Sequence, residues 1–100
     1  MATQIFLQNK YDNEVLELGI INSDSLDKLI DIATYYNLQC LPYLDSIGNT
    51  ILNQKQLNML KSDLEYMRNI ITDQNAFDML LSFVKTALQY SELFLFLRGE

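Results

Sequence analysis

The stretch Asn53–Leu88, NQKQLNMLKSDLEYMRNIITDQNAFDMLLSFVKTAL, carries two runs of apolar residues at helical spacing. Leu57, Leu60, Leu64, Met67 and Ile71 step by three and four, and Phe77, Leu80, Leu81, Val84 and Leu88 repeat the pattern after a polar break at Thr72–Asn75. Asn53 followed three residues later by Gln56 has the form of a capping box, which fixes where the first helix starts. A break this short folds the second helix back on the first, so the segment predicts an antiparallel helix pair.

On the C-terminal side, Leu93-Phe94-Leu95-Phe96-Leu97 is apolar at every position, which suits a strand buried between neighbours. On the N-terminal side, Leu38–Ile51 contains Pro42 and the pair Gly48-Asn49, and is expected to be irregular with room for one short strand. Before it, Leu26, Leu29, Ile30 and Ala33 mark one face of a helix over residues 24–36, with Asn22, Ser23 and Ser25 as capping candidates. The chain opens with two strand-like runs, Thr3–Gln8 and Val15–Ile21, around the polar Asn9–Asn13, the pattern of a β-hairpin. The expected fold is therefore α+β, with an N-terminal β-hairpin, three helices including the antiparallel pair, and a C-terminal apolar strand joining the hairpin. At 100 residues, residues 1–100 suit a single domain.

The chain has no histidine, which removes His-based triads, His-ligated zinc and Cys–His pairs together. Cys40 is the only cysteine, and its neighbours Leu38, Leu41 and Pro42 supply no activating base, so it is read as a small apolar residue. The carboxylate pairs Glu14/Glu17 and Asp24/Asp27 sit in polar stretches and are read as solvated acids. The glycines Gly19, Gly48 and Gly99 are too far apart to form a phosphate loop, and Asp24–Asp31 does not have the alternation of a calcium loop. These residues point away from an enzyme and imply no cofactor and no metal. No apolar run approaches the roughly 18 to 20 residues that cross a bilayer, and the N-terminus has no basic-then-apolar leader pattern, so the default location is cytoplasmic.

The charge is unevenly spread. Residues 12–45 hold seven acids, Asp12, Glu14, Glu17, Asp24, Asp27, Asp31 and Asp45, against Lys28 alone, and so carry the whole net charge of −6. The acids Asp63, Glu65 and Asp78 of the nearly neutral second half are read as ordinary solvent-facing residues. Tyr11, Tyr35, Tyr36 and Tyr43 lie within or beside the acidic third, and tyrosine among charges anchors protein interfaces while staying soluble. Helix-dipole capping accounts for Asp24 and Asp27 but not for Glu14, Glu17 or Asp31. An acidic surface of this kind suits a basic protein partner and repels nucleic acid and anionic membrane. The candidate partner-binding residues are Glu14, Glu17, Asp27, Asp31, Tyr35 and Tyr36.

About the last sixty residues resemble a group of small bacterial immunity-type proteins encoded beside toxins. The resemblance runs from Leu41-Pro42-Tyr43-Leu44 through Gly48-Asn49-Thr50, Asn53 and Gln56-Leu57 to Leu95-Phe96-Leu97-Arg98-Gly99-Glu100. It implies an inhibitor that binds and neutralises a toxin, a nuclease being the natural candidate because its substrate groove is positive. It transfers no functional residue and has no counterpart for the acidic third. Two other readings fit the same residues: a phage-encoded acidic inhibitor that imitates nucleic acid, and a structural subunit that forms a homodimer through the exposed part of the helix pair.

Overall fold

A computed structural model describes residues 1–99. The order of elements is β1 (Ala2–Gln8), β2 (Glu14–Asn22), α1 (Ser23–Tyr35), a 3-10 turn at Leu41–Tyr43, β3 (Asn49–Leu52), α2 (Gln54–Met67), α3 (Gln74–Leu88) and β4 (Phe94–Arg98). The strands form one antiparallel sheet in the order β2-β1-β4-β3. The hairpin, three helices and C-terminal strand follow the α+β reading, and β4 docks between β1 and β3 rather than at an edge.

The helices pack on one face of the sheet. Ile5 and Leu7 of β1, Leu95 and Leu97 of β4 and Leu52 of β3 join Leu26, Leu29 and Ala33 of α1, the Leu57, Leu60, Leu64, Met67 stripe of α2, and Phe77, Leu80 and Val84 of α3 in one core. Gly19 of β2 has φ of +155°, and a Cβ there would stand 2.9 Å from the Phe83 ring, so the missing side chain admits α3 against the sheet.

The caps explain the boundaries. Asn22 accepts from the backbone N–H groups of Asp24 and Ser25, Asn53 and Gln56 form the reciprocal capping box, and Asp73 accepts from Ala76 N–H. That bond, with help from Ser25 and Lys28 of α1, holds the Asp73 carboxyl below its ordinary pKa. Two sequence readings change. Ile71 is not the last residue of the α2 stripe, because the helix ends at Met67 and the N–H groups of Ile70 and Ile71 both turn back to the Met67 carbonyl. Asp63 is not a solvent-facing acid but is 4% exposed in the middle of α2.

Candidate functional site

The outer face of α1 carries the features that the sequence singled out. Asp27, Asp31 and Tyr35 are four residues apart and form one ridge along the solvent side of the helix, opposite the Leu26, Leu29, Ala33 side that enters the core. No basic residue occupies the last turn of α1, and its one cation, Lys28, stands one turn before Asp31. Asp31 is exposed, and Tyr35 is 79% exposed. Asp27 is more constrained, since Ser46 Oγ donates a short hydrogen bond to its carboxylate. Ser46 belongs to a buried polar link in which Thr3 Oγ1 donates to the Ser46 carbonyl at 3.1 Å and shares a bond with Ser23 Oγ at 3.2 Å. Asp27 therefore ties the 45–48 loop to α1 as well as contributing charge.

The C-terminal end of the ridge is built by local backbone chemistry. Asn37 takes the left-handed conformation at φ 54°, which few residues tolerate and asparagine does. Leu38 N–H then bonds the Ala33 carbonyl and Asn37 N–H the Thr34 carbonyl, a Schellman closure that turns the chain sharply off the helix. The next three residues are captured by one side chain: Asp63 accepts from the backbone N–H groups of Gln39 at 3.1 Å, Cys40 at 2.7 Å and Leu41 at 2.8 Å. These bonds fix the 3-10 turn and with it the exposed Tyr43. A shallow cleft of about 250 Å³ lies between the two segments, lined by Thr34, Asn37, Leu38, Pro42 and Tyr43.

Three tyrosines cluster at this end. Tyr35 and Tyr36 meet edge to face with centroids 5.0 Å apart, and Tyr36 meets Tyr66 of α2 at 6.0 Å. Tyr66 escaped sequence reading because it lies outside both the acidic third and the α2 apolar stripe. Only its exposure at position 66, out of phase with Leu64 and Met67, hinted at a surface role.

The six candidates do not form one surface. Asp27, Asp31, Tyr35 and Tyr36 share the α1 region. Glu17 and Glu14 are paired across the hairpin with Phe6 and Gln8. These alternate along β1 with the core residues Ile5 and Leu7, so both glutamates face away from the helices. Glu17 is engaged there by Gln4, whose side-chain amide donates to it at 3.1 Å.

Cys40 lies behind this surface. Burial, and secondarily the nearby Asp63 carboxylate, push its thiol pKa from 9.0 up to about 11, so it is protonated and unreactive at neutral pH. The sign of the linkage is set by that direction. The unfolded chain releases the thiol proton first, so this group leaves stability untouched below about pH 9 and lowers it as pH rises toward 11. Cys40→Ser is expected to cost about 1 kcal/mol at pH 7, to leave partner binding intact and to lose less stability than wild type between pH 8 and about pH 10.5. Urea denaturation at the two pH values checks this, and equal alkaline losses in both proteins would rule the thiol out.

No group of three or more potential metal ligands gathers among the described residues, and no helix among them is long and apolar enough to cross a membrane. No protein-family model matches the chain, and neither a curated protein nor a solved structure matches it.

Proposed function

We propose that this chain is a binding protein that neutralises a basic macromolecular partner, as an immunity protein neutralises a toxin domain, and that it does so through the α1 ridge and its tyrosine cluster. The carrying observation is the exposed line Asp27, Asp31, Tyr35 running into Tyr36 and Tyr66, with the exposed Tyr43 across the cleft at the end of α1. Carboxylates in solvent steer a positively charged partner and raise its association rate, while aromatic side chains that become buried on contact slow release. Tyr36 and Tyr66 are already held by edge contacts, so less side-chain freedom is lost on binding. A toxin whose substrate groove is basic, such as a nuclease, fits this chemistry.

The test is a comparison of Asp31→Lys/Tyr35→Ala with wild type. The partner is first isolated on immobilised wild-type protein from the native cell, and its toxic activity is assayed with and without the inhibitor. The double variant is expected to fold, to associate on the order of tenfold more slowly at low salt with a weaker salt dependence, and to lose inhibition. Glu65→Lys/Asp78→Lys, at exposed positions of the neutral half, is expected to behave like wild type, as is Glu17→Lys on the far side of the sheet. A double variant that binds and inhibits like wild type would reduce the acidic ridge to a solubilising surface.

A further inference from the structure

We propose that the cleft between Thr34 and Tyr43 receives an arginine side chain of the partner; this names the group recognised at the end of the α1 ridge and rests on the reading of a basic partner above. The cleft holds about 250 Å³ and is lined by Thr34, Asn37, Leu38, Pro42 and Tyr43. Small-molecule pockets run from roughly 300 to 1,000 Å³, so this one is sized for a single side chain. Its polar groups offer acceptors. Thr34 Oγ1 donates its proton to the Ile30 carbonyl at 2.8 Å, so its oxygen has only lone pairs left for a further partner. At the end of the helix the carbonyls of Ile32, Ala33 and Thr34 are closed by the N–H groups of Tyr36, Leu38 and Asn37, and among the described residues no backbone N–H bonds that of Tyr35. This is the negative end of the α1 dipole, and its last turn holds no basic residue. Asp31 precedes Thr34 by three residues, which makes the two neighbours on the helix surface. Lys28, the one cation of α1, already serves Asp73 beside the first half of the helix.

The remaining walls decide between the two basic side chains. Leu38 and Pro42 are half-buried apolar residues, suited to a stem of methylene groups. Tyr43 is 79% exposed and supplies an aromatic ring for a cation. A guanidinium carries five N–H donors in one plane, stacks on aromatic rings and is weakly hydrated, whereas an ammonium is a compact, strongly hydrated charge. A shallow cleft with acceptors and one aromatic wall fits the guanidinium. A phosphate or carboxylate would meet acceptors there, next to Asp31. Both sides of the cleft are already held in place, one by the left-handed Asn37 and the other by the Asp63 bonds to Gln39, Cys40 and Leu41. Little freedom is therefore lost when the side chain enters.

The first measurement needs only the full chain. N-acetyl-arginine amide, followed by the protein's amide NMR signals, is expected to shift Thr34, Asn37, Leu38 and Tyr43 with a Kd of about 1 to 10 mM, as for a group of roughly ten heavy atoms. The citrulline amide keeps the shape without the charge and is expected to bind about tenfold more weakly or worse. The lysine amide is expected to bind several-fold more weakly than arginine. Thr34→Val/Tyr43→Leu removes the acceptor and the ring, and is expected to weaken arginine binding on the order of tenfold. Asp78→Lys, exposed on α3, is expected to stay within about twofold. If the double variant does not fold by circular dichroism, Tyr43→Leu alone decides. No saturable shift of these amides below about 50 mM arginine amide overturns the proposal, and so does equal binding of the citrulline or lysine amide. With the partner isolated as above, Thr34→Val/Tyr43→Leu is expected to release it on the order of tenfold faster while associating at the wild-type rate. Release as slow as from wild type overturns the cleft proposal and leaves the ridge standing. The ridge falls by a different result, namely Asp31→Lys/Tyr35→Ala associating and inhibiting like wild type.

Discussion

Asp63→Ala is expected to lose about 3 to 5 kcal/mol of folding stability, an unusually large loss for removing one acid from a chain with an excess of them. The carboxylate lies in the α2 interior and accepts three backbone N–H groups of the Gln39–Leu41 segment. A hydrogen bond to a charged group is worth roughly 1.5 to 3 kcal/mol, and a buried donor left without an acceptor costs about 1 to 3. The three contributions do not add fully, because the freed loop can shift and admit water. Asp63→Asn is expected to lose less than the alanine change. Its single carbonyl oxygen can still serve Cys40 and Leu41, which share Oδ2, while its amide opposes the Gln39 N–H. Urea denaturation followed by circular dichroism gives the stabilities. Hydrogen exchange at Gln39, Cys40 and Leu41 should accelerate before global unfolding, since α2 itself remains capped at Asn53. An alanine variant within about 0.5 kcal/mol of wild type, the range of ordinary surface changes, would show that these bonds are replaced by water at little cost. Because the same bonds position Tyr43 and the turn beyond α1, the variant is also expected to weaken partner binding.

Leu64→Ala is expected to cost about 2 to 5 kcal/mol, the range for emptying a large aliphatic side chain from a packed core. Leu64 is fully buried beside Asp63, in the middle of the stripe by which α2 joins the core. Its neighbours along the stripe, Leu60 and Met67, are equally buried, so collapse around the deleted atoms requires movement of the helix itself. Small domains hold about 5 to 15 kcal/mol in total, so the variant should be folded but melt well below wild type. Leu64→Met, which keeps the volume, is expected to stay within about 1.5 kcal/mol. A denaturation midpoint for Leu64→Ala equal to wild type would place Leu64 outside the cooperative core.

The two variants affect different links of the same chain of cause. Leu64 fastens α2 into the core by burial, and Asp63, one residue earlier on a neighbouring face, fastens the loop that follows α1 to α2. Together they hold the ridge, the tyrosine cluster and the Thr34–Tyr43 cleft in one geometry.

The sequence by itself determined the elements, because each was written in local, periodic terms. Steps of three and four placed α2 and α3, the Asn53–Gln56 pair fixed the start of α2, and the all-apolar run predicted a buried C-terminal strand. Local charge counting likewise placed the negative excess in residues 12–45. Only the tertiary structure decided which acids act together. Glu17 and Asp31 belong to the same acidic third, yet one faces away from the helices and the other lies on one of them. Their separation depends on strand alternation and on register shifts between Ile5/Phe6 and Leu7/Gln8, which move β2 residues between faces without altering composition. Asp63 and Asp78 read alike in sequence, but the first meets three N–H groups from a segment more than twenty residues away. A carboxylate's role is set by the donors that folding brings to it, and a donor brought by chain reversal leaves no mark in the residues on either side of the acid.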